Sequence, residues 1–447
     1  MHRIFFIIVI SLTCLLLFYV LPISGQNEQK QKEWTGKLVD GTAITEVELD
    51  EIMNEHLKWL KSDGKEGKRA NLSGAKLIKA DLSGASLNKA ILNRADLNEA
   101  FLFRAKLIKA ELFRANLSKA SLNEANLNEA NLSGANLSGA FLNEANLSGA
   151  NLQRADLSGA SLSGANMPEA NLRSAMLIEA SLIEANLNEA DLSGAFLNEA
   201  NLSGANLSGA ELWSSFVDGV NFALRPKSLP YIPSIASAIG LSNLTYGQYS
   251  NALVELRKEF KEAGFRTQER QITYAIKHSQ RLELWNMSYS NIWKKFESMF
   301  YLIFFELTCS YGMRPGQPLL ILFFAIIPLF SIPYFIVLKW PPKKDGIWQV
   351  WISERLRKDL GSNEPVRLNL NLLPALGFGI YFSMISAFSI GWRELNVGNW
   401  ITRIQRREYI LRASGWVRVV SGFQSLLSVY LLALWVLTYF GRPFEAI

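Results

Sequence analysis

The chain has 447 residues, 49% hydrophobic and 19% charged, with 46 Lys and Arg against 40 Asp and Glu and a formal net charge of +6. That balance excludes a wholly disordered chain and leaves room for two or three domains. Two cysteines, Cys14 and Cys309, exclude a disulfide framework, and the well-separated histidines His2, His56 and His278 lack metal-ligand spacing, so neither metal nor cofactor is expected.

Taken in chain order, the first residues, MHRIFFIIVISLTCLLLFYVLPISGQNEQ, join a short basic start to a long apolar core and small residues near Gly25. Residues 1–25 therefore read as a signal peptide or an N-terminal membrane anchor, and the residues after Gly25 are expected outside the cytoplasm. Residues 26–69 read as a helical lead-in. Thr45 and Glu48 can form a capping box, and Leu49, Ile52, Met53, His56, Leu57 and Leu60 keep helical spacing. His56 there reads as a packed cap residue.

From Ala70 through Ala210 an alanine stands at every fifth position, and a leucine comes two residues later from Leu72 to Leu212, with Met167 as the exception. A helix advances about 100° per residue, so a five-residue step smears leucine over every face. A straight strand sends alternate leucines to opposite faces, because its side-chain period is two. The pattern fits a coil in which each pentad makes one short side and then turns, with Ala and Leu always inward. Pairs such as Ser73-Gly74 and Ser138-Gly139 supply turn chemistry.

The repeating Ala, Asn or Asp, Leu, x, x over 70–214 resembles the pentapeptide-repeat family. The resemblance implies a right-handed quadrilateral β-helix, four pentads to a coil and just over seven coils, with HLKWLKSDGKEGKRANL similar to the short helix that precedes such solenoids. Some family members imitate DNA with an acidic rod and inhibit topoisomerases. Here Lys76–Lys119 is mostly basic and Glu124–Glu211 mostly acidic, so the rod is charge-polarised and no nucleic-acid role is expected. Another protein is the expected partner of the solenoid surface. Phe101 and Phe141 fall on one face under a twenty-residue coil, and Phe196 on the next.

After Leu212 the pattern decays through Trp213, Phe216 and Phe222, bulky residues suited to closing the solenoid. Residues 215–298 read as a linker, RPKSLPYIPS, and then a helical pair: Tyr249, Leu253, Leu256 and Phe260, then Gly264, then Ile272, Ile276 and Leu282.

Residues 299–447 read as an α-helical transmembrane module with spanning helices at 319–338 and 416–440 and a pore-loop-like or third apolar segment at 372–390. That layout resembles the two-helix pore module of potassium-type ion channels, which work as oligomers. The resemblance aligns the filter order Thr, Val, Gly, Tyr, Gly, Asp with Ser389, Ile390, Gly391, Trp392, Arg393 and Glu394. Arg393 departs from it, replacing a glycine with a cation-repelling side chain.

Basic residues cluster in 339–371 (339, 343, 344, 355, 357, 358, 367) and in 391–418 (393, 403, 406, 407, 412, 418). If 372–390 crosses the bilayer, the two clusters lie on opposite sides; if it re-enters, both lie on one side, preferably cytoplasmic. Trp392, Arg393, Trp400 and the arginines at 403, 406 and 407 also suit the headgroup level of an anionic membrane. No acid-base pair, activated nucleophile or phosphate loop stands out. The expectation is a non-enzymatic, membrane-anchored scaffold, in a bacterial inner membrane with the rod outside the cytoplasm. The alternative is an ion channel of non-classical selectivity with the rod as sensor.

Overall fold

The computed structural model describes residues 34–247, 251–286, 292–340, 346–351, 366–367, 370–387 and 409–440. The expected signal or anchor over 1–25 and the filter-like residues Ser389–Glu394 lie outside the described residues.

A hairpin, β1 (Thr35–Lys37) and β2 (Ala43–Thr45), leads into helix α1 (Glu46–Lys61). The Thr45 hydroxyl accepts from the Glu48 N–H and the Glu48 carboxylate accepts from the Thr45 N–H, so the capping box is formed on both sides. The hairpin joins the first coil through an antiparallel bridge, Lys37 to Lys76.

Parallel bridges then link each outward residue to the one twenty positions on, from Asn71–Ile91 through Asn201–Asn221. Twenty residues hold four pentads, so the rod is four-sided. Its backbone polar groups are accounted for pentad by pentad. In the pentad of Asn131, the Asn131 N–H donates to Ala110 O at 2.9 Å, Leu132 N–H to Asn151 O at 2.7 Å and Gly134 N–H to Gln153 O at 2.9 Å. Ala135 N–H closes the corner onto Leu132 O at 2.9 Å. The remaining donor, Ser133 N–H, goes to the Asn131 side chain at 3.1 Å. Where the outward residue is Lys106, Glu111, Phe141 or Ser161, the carbonyl of an asparagine one coil back replaces it: Asn88, Asn93, Asn123 and Asn143 accept from Ile108, Phe113, Asn143 and Ser163.

The last residue of each corner has positive φ whether it is Gly134 (66°) or Glu129 (53°). Glycine suits this conformation but does not create it; the lattice of inter-coil bonds holds Lys, Arg and Glu there as well. Inside, the repeat leucines and Met167 are buried, and the alanines too except the half-buried Ala85.

The coils run past the expected boundary at 214, because Val217, Val220 and Phe222 take the inward positions, and parallel bridges continue to Ile239 and Thr245. Of the three aromatics expected to close the rod, Phe222 is buried while Trp213 is 41% exposed. The stretch expected as a linker wraps on the end coil instead: Leu207 N–H donates to Ser228 O and Tyr231 N–H to Ala210 O. A single turn, α2 (Ile232–Ile235), comes next. Helices α3 (Asn251–Glu262) and α4 (Arg266–Asn286) form the expected pair about Gly264, φ 80°. Leu253, Leu256, Phe260, Ile272 and Ile276 are buried in a core continuous with that of the rod; Leu282 is 39% exposed and belongs to no buried face.

Helix α5 (Ile292–Tyr301) runs through a widened turn at Leu302–Glu306 to Leu307–Cys309. Helix α6 (Gln317–Lys339) has a second widened turn, Leu322–Ile326, just before Pro328, whose ring lacks the N–H a regular helix needs. Strands β3 (Gly346–Trp351) and β4 (Val366–Arg367), helix α7 (Leu372–Ala387), strand β5 (Tyr409–Ser414) and helix α8 (Trp416–Phe440) complete the module. β3 is the central strand and pairs antiparallel with both β4 and β5. Helices α6 and α8 are long and apolar enough to cross a bilayer, whereas α7, with 16 residues, rises only about 24 Å against a hydrocarbon core of about 30 Å.

Candidate functional site

Stacking turns the linear charge pattern into four ladders, one along each corner of the rod. Two of them change once from basic to acidic, a third alternates as Lys79, Glu99 and Lys119 before turning acidic, and each of the three carries an ion pair between successive coils. Lys79 meets Glu99 at 3.2 Å, Arg104 meets Glu124 at 2.7 Å and Lys109 meets Glu129 at 3.1 Å. These pairs are exposed, so each contributes little, on the order of 0.2–1 kcal/mol. The fourth corner carries Gly74, Arg94, Arg114, Gly134, Arg154, Ser174 and Gly194 in its positive-φ positions, with no acidic residue among them. Reading the sequence in columns of twenty would have shown this; reading it end to end did not.

On the faces, Phe101 and Phe141 lie two coils apart with Ser121 between them, 52% and 50% exposed. Phe196 sits on the adjacent face and stacks on Phe216 at 4.7 Å. At the N-terminal end, His56 is fully buried. Its Nδ1 accepts from Ala70 N–H at 3.2 Å and its Nε2–H donates to Asn88 O at 3.1 Å. Burial holds the imidazole below its ordinary value, so it is a neutral structural cap. Arg69 beside it donates to Glu111 at 2.7 Å and keeps that carboxyl below the usual range.

A second cluster joins α4 to α5. Arg281 Nε donates to one Glu306 oxygen at 2.6 Å and its Nη2 to the other at 3.3 Å, while His278 Nδ1–H donates to the latter at 3.1 Å. Tyr274 stacks on His278 at 5.4 Å. The Arg281 and Glu306 side chains are each 12% exposed, so the pair is bidentate and largely dry. Directly after it Ser310 and Tyr311 adopt φ of 49° and 50°, a sharp break held by Tyr311, which is 2% exposed. An open cleft of about 270 Å³ beside the pair is lined by Lys277, Gln280, Glu283, Glu297 and Tyr301 among others. Sequence reading passed over Glu306, whose partners Arg281 and His278 stand 25 and 28 residues away.

A third polar arrangement runs between α6, α7 and α8. Tyr334 donates to Gln424 Oε1 at 2.9 Å, and Gln424 Nε2 donates to Ser383 Oγ at 2.7 Å and Ser383 O at 3.0 Å. Ser383 Oγ donates to Ile327 O at 2.7 Å, Ser421 donates to Ser386 Oγ at 2.9 Å, and Ser425 donates to Ser386 O. Gly379 lets α7 close on α6, since a Cβ there would stand 3.1 Å from Phe335 N and from Ser331 O. This seam seats α7 between the two long helices. The sheet brings the end of α6 and the start of α8 to one end of the module, the end at which α7 begins.

Residues 68–107, 110–149, 150–188 and 185–222 match the family model for pentapeptide repeats, in eight copies. Among solved structures the chain is similar to HetL, a pentapeptide repeat protein involved in heterocyst differentiation regulation from the cyanobacterium Nostoc sp. strain PCC 7120. Identity there is 33% over 41% of this chain and 81% of that one, with a TM-score of 0.23. It is similar also to a pentapeptide repeat protein, Rfr23, from the cyanobacterium Cyanothece 51142, with 30% identity over 27% of this chain and 87% of that one, TM-score 0.17. QnrB1, a plasmid-mediated fluoroquinolone resistance protein, matches at 17% identity over 43% and 98% of the two chains, TM-score 0.29. No curated protein sequence matches the chain.

Proposed function

Because the chain belongs to the pentapeptide-repeat family through residues 68–222, we propose that it is a membrane-anchored, non-catalytic scaffold whose charged rod binds another protein. The observation that carries the anchoring is the outer surface of α6 and α8. Phe324 is 79% exposed, Leu329 60%, Val419 73% and Phe423 62%, a coat of large apolar side chains that water does not tolerate at this density. Buried core helices of a soluble protein do not present such a coat.

In this reading α7 enters the bilayer and returns, because it is short and because β3 and β5 pair on one side of it. Both basic clusters then share that side, the cytoplasm, and the rod lies across the membrane from them, outside a bacterial inner membrane. The test is cysteine labelling of intact cells with a membrane-impermeant maleimide. Ser138→Cys on the rod should react and Ser362→Cys should not; the reverse pattern would overturn the orientation.

The short α7 packed between two long helices supports a second reading: an oligomeric ion channel with the rod as sensor. Ser389–Glu394 would then line the constriction, and Arg393→Gly should change ion selectivity in planar bilayers. An assembled protein that passes no current would refute it.

A further inference from the structure

We infer that α5 lies along the membrane surface, in the headgroup–acyl boundary of the leaflet on the rod's side, with its apolar face in lipid and its other face on α4. This rests on the membrane-anchored reading above and adds to it a lipid contact outside the two long helices.

From Trp293 to Leu307 the exposed residues, with the exception of Glu297, are large and apolar: Trp293, Phe296, Met299, Phe300, Ile303 and Leu307, between 44% and 77% exposed. At about 100° per residue the first five fall within an arc of about 120°, so they form one stripe. A helix on a soluble domain turns such a stripe inward, whereas α5 does the reverse. Its inward side carries Ser298, 1% exposed, whose hydroxyl donates to Arg281 O at 3.1 Å, and the widened turn after it carries Glu306, held by Arg281 and His278. Polar contacts fix α5 to α4 and leave the apolar side outermost.

The surroundings of the stripe select a bilayer as its partner. Gln317, the first residue of α6, donates to Leu307 O at 2.9 Å, so the stripe ends where Leu320 begins the exposed apolar coat of α6. The segment also docks on the second half of α8: the Tyr430 hydroxyl donates to Phe304 O, the two rings meet edge to face at 5.5 Å, and Leu434 packs with Cys309 and Tyr311. The turns of α8 that follow carry Trp435 and Tyr439, side chains suited to the headgroup level. At the other end Lys295 places its Nζ 5.7 Å from the ring centre of the exposed Trp285, the pairing of amphipathic aromatic and lysine that an interfacial helix uses. Lys294, Lys295, Glu297 and Glu306 in so short a segment rule out a spanning placement.

The experiment uses the full chain, with Cys14→Ser and Cys309→Ala, in phosphatidylcholine–phosphatidylglycerol vesicles. A nitrobenzoxadiazole probe is attached to a single new cysteine, and nitroxide lipids labelled near the headgroup or near the chain end quench it. Probes at Phe300→Cys and Ile303→Cys should be quenched at least about twofold more by the shallow nitroxide, as a helix seated about 5–10 Å into the boundary requires. Leu329→Cys, midway along α6, should show the opposite preference, and Ser138→Cys on the rod no quenching. Quenching at Leu329→Cys but none at Phe300→Cys and Ile303→Cys would overturn this inference alone, since protein would then cover the stripe. Equal or stronger quenching of those two by the deep nitroxide would overturn it too, because α5 would then be immersed in the bilayer core. No quenching at any site would overturn the anchored reading and this inference with it.

Discussion

Replacing Leu147 by alanine should be among the most damaging changes in the rod. The leucine is fully buried, and the coils on either side of it are pinned: Leu147 N–H bonds Asn166 O at 2.7 Å and Asn146 N–H bonds Ala125 O at 2.9 Å. Losing three carbons forfeits about 2.4 kcal/mol at roughly 0.8 kcal/mol each. Because the hydrogen-bonded coils cannot slide together, a void of roughly 60 Å³ remains and adds about 1.4 kcal/mol at ~24 cal/mol per Å³. The expected loss is therefore about 4 kcal/mol, measured by guanidinium unfolding of the full chain in detergent, monitored by far-UV circular dichroism. Native-state hydrogen exchange should place the weakening in the coils around 125–166, since each coil touches only its neighbours. Met167→Leu, which conserves volume at the corresponding site, should cost less than about 1.5 kcal/mol. A loss below about 1.5 kcal/mol for Leu147→Ala, or exchange weakened evenly along the rod, would refute the reasoning.

The depressed His56 imidazole makes its contribution present above about pH 6.5, its ordinary value, and lost progressively as pH falls below that toward the lowered folded value. The melting temperature should accordingly fall between about pH 7.5 and about pH 5.5, and His56→Gln should remove that part of the dependence. Gly159, at φ 63° with open space where a Cβ would stand, should lose about 1 kcal/mol on conversion to alanine, all of it from backbone strain. Glu144→Gly, starting from φ 58°, should be neutral to stabilising by about 0.5 kcal/mol in thermal unfolding. Gln424→Leu strands the Tyr334 hydroxyl and the Ser383 carbonyl, and should lower the stability of the helical module by about 1–2 kcal/mol in detergent melts.

The amino-acid sequence by itself determined the rod. A five-residue period that no straight element can satisfy leaves a coil with one pentad to a side, and the identities of Ala and Leu say which way each points; four sides to a coil came with the family resemblance and with the bridges twenty residues apart. It also located α6 and α8, because twenty uncharged apolar residues are a length-scale argument that needs no fold. It misplaced the end of the rod, since Val217, Val220 and Phe222 continue the inward positions without the Ala and Leu that announced them. It did not show that outward asparagines such as Asn131 and Asn136 also hold corners by accepting a backbone N–H two residues on.

Only the tertiary structure decided the rest. Arg94, Arg114 and Arg154 are twenty and forty residues apart, and become one edge only when coils stack. Glu306 meets Arg281 and His278 across 25 and 28 residues, and Gln424 meets Tyr334 across 90, pairings that no local pattern encodes. Periodicity fixes what repeats along a chain; which irregular residues become neighbours depends on where the turns bring them.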